Sequence, residues 1–324
     1  MTRYPISYIL PIKVSQVDDS RDLEGYLQWL SERVQVIAVD ASAPDLFEHH
    51  ATRWAVDVHV QPNPRLKTLN GKVWGVLTGL ELAAHDFVIV ADDDVRYDNR
   101  ALSRINDLLH RAEIVRPQNY FRPVPWHAAW DTGRTLLNRI SGGDWPGTLA
   151  LRKSFLGSGY GRDSLFENLQ MVRSVQASGG REYVARDLYV RRIPPTTRHF
   201  VSQRVRQAYD EWARPVRFAW QLALLPALTL LALKGSATLP FVAAAVIGAA
   251  EAGRRQAGGR AYFPLAASLL APLWLTERMF CAWLALATRL IFGGVRYHGA
   301  IIREPATSVR ELRALQASDM EIAG

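Results

Sequence analysis

The chain has 324 residues, 39 Lys and Arg against 31 Asp and Glu, a net charge of +8 and a pI near 9.8. That length holds one α/β domain of about 200 residues plus an appendage, and the single cysteine, Cys281, excludes an internal disulfide framework and a cysteine-cluster metal site. The positive balance would suit nucleic acid, but no recognition motif or aromatic-basic platform accompanies it, so an anionic membrane surface is the expected partner and nucleic acid is not.

Tyr4 to Ile12 reads as a strand ending near Pro11, with no apolar stretch long enough for a signal peptide. Asp19 to Arg33 reads as an amphipathic helix with Leu23, Tyr26, Leu27 and Leu30 at helical spacing. Val34 to Val39 is a second strand that runs into Asp40-Ala41-Ser42, and a short third strand, Val56 to Val60, leads to the loop from Gln61 to Pro64. Asn70-Gly71-Lys72 opens a helix through Ala84. Then an apolar run from Phe87 empties three carboxylates, Asp92, Asp93 and Asp94, at its C-terminal end.

One Asp there would cap the helix expected over Asn99 to His110. Three in a row repel one another unless a cation or basic group sits nearby. They also place hard oxygen ligands where an open α/β sheet binds its ligands. Strands alternating with helices predict an α/β fold with a mostly parallel sheet covered on both faces. Asp40, Lys72 and Asp92 to Asp94 then lie along its carboxyl edge.

At these residues the chain resembles the family 2 inverting glycosyltransferases, which carry the GT-A nucleotide-sugar-binding fold. The family's pattern reads here as Pro11 closing the first strand, Asp40 and Ser42 after the second, Gly71-Lys72 before a helix carrying Gly79 and Ala83, and Asp92-x-Asp94. The resemblance implies that Pro11, Asp40, Lys72, Asp92 and Asp93 bind a nucleotide sugar, and that Asp94, with Asp92, ligates Mg or Mn. A carboxylate-held metal acts as Lewis acid on the leaving diphosphate while Lys adds a point charge. Lys72 equally suits a solvated position at a helix start.

On the acceptor side, Asp144 to Lys153 resembles the family's strand in which Gly147 and small residues precede a basic pair, here Arg152 and Lys153. Where the family has Glu-Asp, the Asp being the general base, this chain has Glu167-Asn168. A carboxamide takes no proton near neutral pH, so Glu167 is the expected base, with Asp163 and Asp144 as alternatives. Glu167 also suits a plain helix start. In the arginine-rich stretch from Arg181 to Arg217, Gln203, Arg204 and Arg206 resemble the Gln-x-x-Arg-Trp box of membrane-bound members and are expected on the diphosphate. Gln207 stands where the Trp would be, which argues against a processive polysaccharide synthase. Trp126, Trp130 and Trp145 supply aromatic surface for stacking on acceptor sugar rings, or for core packing.

From about residue 218 the composition turns apolar, in runs over Phe218–Leu233, Leu239–Ala250, Tyr262–Thr276 and Met279–Leu290. Sixteen residues make roughly 24 Å of helix, short of the hydrocarbon core of about 30 Å unless Arg217 and Lys234 snorkel. The last two runs, divided at Glu277-Arg278, read as a re-entrant or interfacial pair. A soluble helical bundle could bury the same runs. Arg254, Arg255 and Arg260 after the second run, and Arg296 and Arg303 after the fourth, put both loops and the catalytic domain in the cytosol. Gly293 to Gly299 resembles the element that follows the last membrane helix in hopanoid and ceramide glycosyltransferases.

The sequence thus divides into a GT-A domain over 1–215, membrane-associated helices over 216–300 and a polar tail over 301–324. The resemblance implies transfer of a sugar from UDP- or GDP-sugar to a lipid or polyprenyl-linked acceptor at the cytosolic face of a cell membrane. A processive synthase and a degenerate, non-catalytic membrane scaffold are the rival readings.

Overall fold

The computed structural model describes residues 3–16, 21–157, 160, 164–235, 237–297 and 300–323. The chain divides into two compact units, one of Met1–Arg116, Gly147–Tyr183 and Thr307–Gly324, the other of Pro117–Pro146 and Val184–Ala306. These units do not follow the sequential bounds read from composition.

Eight strands form one sheet: β1 (Ile6–Ile12), β2 (Gln35–Asp40), β3 (Val58–Val60), β4 (Phe87–Ala91), β5 (Val95–Arg96), β6 (Ile114–Phe121), β7 (Thr148–Arg152) and β8 (Glu182–Arg192). Their order is β3-β2-β1-β4-β7-β6-β8-β5. β1 to β4 pair in parallel, with Ile9 opposite both Ile37 and Val90. β7 then runs antiparallel to both β4 and β6, so the sheet is parallel on one side and mixed on the other. Strand direction depends on how the chain returns, which alternation of elements does not encode.

The helices of the first unit are α1 (Arg21–Ser31), α2 (Pro44–Arg53), α3 (Gly71–Leu82), α4 (Asn99–Leu109), α6 (Glu167–Ala177) and α13 (Val309–Ala323). α2 has no counterpart in the sequence reading, since it buries only Leu46 and His50 and shows little apolar period. α3 seats closely on β1. A Cβ on Gly75 would come within 2.9 Å of the Pro11 Cβ, and one on Gly79 within 2.4 Å of the Ile9 side chain. The two glycines thereby bring the start of α3, capped by the Asn70 side chain on the Lys72 N–H at 3.0 Å, to the sheet edge. α4 takes its cap from Asp98, which accepts from the Ala101 N–H at 2.7 Å. None of Asp92, Asp93 and Asp94 is used for that purpose.

The expected polar tail is instead packed. Leu312 of α13 is buried, Thr307 donates its N–H to Gln170 at 2.7 Å, and the Gln316 amide donates to Ser178 at 3.0 Å, so α13 lies on α6.

In the second unit, α5 (Trp126–Ile140) is enclosed by α10 (Thr238–Arg255), α11 (Leu265–Leu269) and α12 (Ala271–Phe292), with α7 (Thr197–Ser202), α8 (Arg204–Tyr209), α9 (Pro215–Leu233) and the hairpin β9 (Val295–Tyr297) and β10 (Ala300–Ile302) completing it. The expected break at Glu277-Arg278 does not exist: α12 runs through it. Arg278 is buried and Glu277 lies 3.6 Å from Arg204, so this charged pair faces protein and does not interrupt the helix. Among the described residues one helix is long and apolar enough to cross a membrane, α9, with 19 residues. Val216, Trp220, Leu230 and Leu233 stand exposed on it.

Arg139 of α5 has no exposed surface. It donates to the Gln118 side chain, the Tyr189 hydroxyl and the carbonyls of Arg186, Gly253 and Gln256. α10 reaches that position because residue 253 is glycine: a Cβ there would stand 2.0 Å from the Leu136 carbonyl oxygen. Gly253→Ala is therefore expected to destabilise the protein by about 2 kcal/mol or more. Gly248→Ala in the same helix, with nothing within 4 Å of its Cβ, is expected to be neutral or to stabilise by up to about 1 kcal/mol. Thermal unfolding of the two variants in detergent checks the opposite signs.

Candidate functional site

In the first unit the C-terminal end of β4, the start of α3 and the start of α6 converge on one cation. Lys72 Nζ lies 2.5 Å from Asp92 Oδ1 and 2.8 Å from Glu167 Oε1, and all three side chains are largely shielded. Burial alone would lower the pKa of this amine, but the Asp92 and Glu167 carboxylates outweigh it and hold the value well above the ordinary range. The Lys72 ammonium is the basic group that three adjacent aspartates require. The Asp92 backbone is itself anchored, its N–H donating to the Gly147 carbonyl at 2.9 Å. The Tyr160 hydroxyl is pushed far above its usual value by burial first, then by the charge of Glu167.

Asp93 is exposed, and its carbonyl accepts from Arg96 at 2.6 Å. Asp94 is half-buried. Among the described residues no three His, Cys, Asp or Glu side chains gather as a metal cage. A pair of carboxylates nevertheless fits Mg or Mn, which bind through one or two carboxylates and complete their shell with substrate phosphates and water. Asp92 and Asp94 carry hard oxygen donors of that kind, and Asp92 also pairs with Lys72.

Asp40, at the end of β2, is fully buried. Its Oδ2 accepts from His50 Nδ1 at 2.7 Å and from His59 Nε2 at 3.2 Å, and its Oδ1 from the Ser42 N–H at 2.9 Å. His59 stacks on Phe47 at 4.2 Å and His50 on Trp54 at 4.1 Å. The sequence reading missed these two imidazoles as partners of Asp40. The histidines and aromatics between Phe47 and His59 were the available signal. Pro11 closes β1 under Gly75, in a packing role.

The remaining sequence-derived residues belong to the second unit. Arg204 is buried, with Nη1 and Nη2 donating to Asp131 Oδ1 at 3.0 and 3.1 Å and Nη2 also to Gln207. Asp131 would be raised by burial, but Arg134 and Arg204 hold it well below the usual carboxylate range. Arg206 stacks on Tyr297 at 4.9 Å, and Gln203 pairs with His199 and Gln207. Trp126 is exposed and sits edge-on to Trp130 at 6.1 Å and Phe200 at 6.2 Å, while Trp145 lies under Arg214 at 5.9 Å. Asp144 is buried and accepts from Arg134, Thr135 and Asn138. Asp163 lies outside the described residues.

No protein-family sequence profile and no curated protein sequence matches the chain. Among solved structures, a mannosyltransferase from Pyrobaculum calidifontis, in complex with GDP-Man and Mn2+, is similar over 99% of this chain and 81% of that one, at 15% identity and a TM-score of 0.44. Mannosyl-3-phosphoglycerate synthase from Rubrobacter xylanophilus is similar over 61% and 70%, at 15% identity and a TM-score of 0.43. Glucosyl-3-phosphoglycerate synthase from Mycobacterium tuberculosis, in complex with phosphoglyceric acid, is similar over 60% and 74%, at 15% identity and a TM-score of 0.39. At these identities and scores the likenesses say nothing of substrate or chemistry.

The Asp40 cluster generates a pH signature. Burial alone would raise its carboxyl, but hydrogen bonds from His59, Ser42 and His50 hold it well below the unfolded value of about 4. Its contribution to stability is then complete above about pH 4 and is lost as pH falls toward the folded value. Urea midpoints of wild type and Asp40→Asn are expected to differ most at pH 7 and to approach each other below about pH 4.

Proposed function

We propose that the chain is a nucleotide-sugar-dependent, inverting glycosyltransferase of the GT-A type, held at the cytosolic face of a cell membrane, that transfers one sugar from UDP- or GDP-sugar to a lipid or polyprenyl-linked acceptor. The observation that carries this reading is the carboxylate cluster at the end of β4, left free of capping duty by Asp98 and joined through Lys72 to Glu167. Bound Mg or Mn, held by Asp94 with Asp92, would supply Lewis-acid stabilisation of the departing diphosphate.

The chain's own residues do the rest. Lys72 offsets the charge of Asp92 and Glu167, so the carboxylates coexist before donor arrives. It also occupies Glu167 Oε1, leaving Oε2 to accept the acceptor's proton. Glu167 is the first residue of α6, so the helix start fixes where its carboxylate stands. Attack from the face opposite the leaving group inverts the anomeric centre.

Membrane attachment is supported by α9, whose apolar side chains stand exposed between Arg217 and Lys234. The arginines at 254, 255, 260, 296 and 303 favour the cytosolic side for the loops that carry them.

Asp94→Ala is expected to abolish Mn2+-dependent binding of UDP- or GDP-sugar with the fold retained, as calorimetric titration reads directly; undiminished metal-dependent affinity would mean the metal lies elsewhere. Glu167→Gln keeps the shape and removes the proton acceptor, so turnover should fall on the order of a hundredfold with donor affinity retained. Wild-type protein that binds no sugar nucleotide with either metal would instead favour a non-catalytic scaffold.

The membrane side is tested by extraction. Salt and carbonate screen lipid electrostatics but leave apolar burial intact. The full chain should stay in the membrane pellet after both washes; release into the supernatant removes α9 from the bilayer.

A further inference from the structure

Asn70 has no exposed surface, and its side chain is hydrogen-bonded at both ends to different stretches of the first unit. Its Oδ1 accepts from the Lys72 N–H at 3.0 Å and so caps α3. Its Nδ2 donates to the Ser164 carbonyl at 2.9 Å, 94 positions along the chain. The two ends are not interchangeable, since a flipped amide would set donor against donor and acceptor against acceptor. The Asn70 carbonyl is met as well, by the Thr68 hydroxyl at 2.8 Å and the Trp74 N–H at 3.0 Å.

Ser164 lies just ahead of Glu167, and α6 begins at Glu167 without a cap of its own. The residue before it, Phe166, has no side-chain oxygen to offer the N–H groups of the first turn. Local sequence therefore leaves the start of α6 unfixed. The rest of α6 is held by separate contacts: Gln170 accepts from the Thr307 N–H at 2.7 Å, Arg173 donates to the Thr307 carbonyl at 3.0 Å, and Ser178 accepts from Gln316 at 3.0 Å. Ahead of Glu167, the Asn70 amide ties the chain to the turn that carries Lys72. Leu165 and Phe166 are buried beside that tie, but apolar burial is non-directional, so the hydrogen bond supplies the direction.

One amide thus fixes two backbone segments against each other, and each segment presents one member of the pair formed by Lys72 Nζ and Glu167 Oε1 at 2.8 Å. We infer that Asn70 is a positioning residue for the base. It sets the start of α6 against the start of α3, so that Glu167 meets Lys72 through one carboxylate oxygen and keeps the other for the acceptor's proton. This deepens the glycosyltransferase reading and rests on it, adding a residue that acts through Glu167 and touches no substrate itself. A displacement of about 1 Å at a reacting group costs on the order of a hundredfold in rate, so a bond remote from the chemistry can limit it.

Asn70→Ser tests the tie, because it keeps an oxygen for the Lys72 N–H, serine being a favoured cap, and removes the donor to Ser164. Hydrogen exchange on the full chain in a neutral detergent reads the local opening, and the Gln170 N–H, which donates to the Phe166 carbonyl at 3.0 Å, reports the first turn of α6. Exchange over 164–171 should rise about tenfold or more, with 172–178 within about twofold of wild type. Mn2+-dependent affinity for UDP-glucose or GDP-mannose should stay within about twofold, while release of nucleotide from the donor, with water as acceptor, falls about tenfold or more. Wild-type exchange over 164–171, or nucleotide release at the wild-type rate, overturns the proposal. Equal losses of donor affinity and of release also overturn it, because Asn70 would then act only as the cap of α3. Should Asn70→Ser fail to fold, Asn70→Asp, which keeps the shape and the cap and loses the N–H, carries the same comparison. A wild-type chain that binds neither sugar nucleotide with Mn2+ sinks the glycosyltransferase reading, and the exchange pattern then still decides whether Asn70 holds the start of α6.

Discussion

Removing the Arg139 guanidinium from water costs several kcal/mol unless it is met on every side, and the second unit is organised around meeting it. Its acceptors come from β6, β8, the end of α10 and the turn that follows, while the Tyr189 and Phe263 rings lie at 5.4 and 5.3 Å. Each element has to be in place for the charge to be tolerated. The close approach of α10 at Gly253 follows from that demand, as does the burial of Leu136, Ala250, Phe263, Ala267 and Ala271 around it. α5 is consequently a core helix despite Asp131, Arg134, Asn138 and Arg139 along it.

The same constraint shapes the first unit on a smaller scale. Lys72 neutralises carboxylates from two distant stretches of chain, and Asp40 is held by hydrogen bonds from two histidines and a backbone N–H. Both arrangements are preorganised, because the rotamers of the charged groups are fixed by their partners and not by solvent. Preorganised charge at a sheet's carboxyl edge is what stabilisation of a departing diphosphate calls for. The close seating of α3 on β1, made possible by Gly75 and Gly79, sets the distance from Lys72 to Asp92.

The helices of the second unit divide their duties by face. Inward, α12 carries Trp274, Arg278, Met279, Cys281 and Ala282; outward, it shows Leu273, Phe280, Trp283 and Leu284. A hydropathy reading averages the two faces and sees a charged pair interrupting an apolar run. The helix itself needs no interruption, since Glu277 and Arg278 are on the side that is shielded from the surroundings.

By itself the sequence determined the elements with a strong period or clear punctuation: β1, β2 and β4 as apolar strands, α1 from its amphipathic spacing, α3 from Asn70-Gly71, and the carboxylate cluster after β4. These are local features, written in neighbouring residues, and so was the departure of Asn168 from the glycosyltransferase pattern. Only the tertiary structure decided which charges face each other. Lys72 and Glu167 stand 95 positions apart, Arg204 and Asp131 stand 73 apart, and the two histidines on Asp40 come from α2 and β3, 10 and 19 positions on. It also decided that α12 is one helix and that the tail belongs to the first unit. Pairing of buried charge depends on three-dimensional proximity and desolvation, and no periodicity along the chain records either.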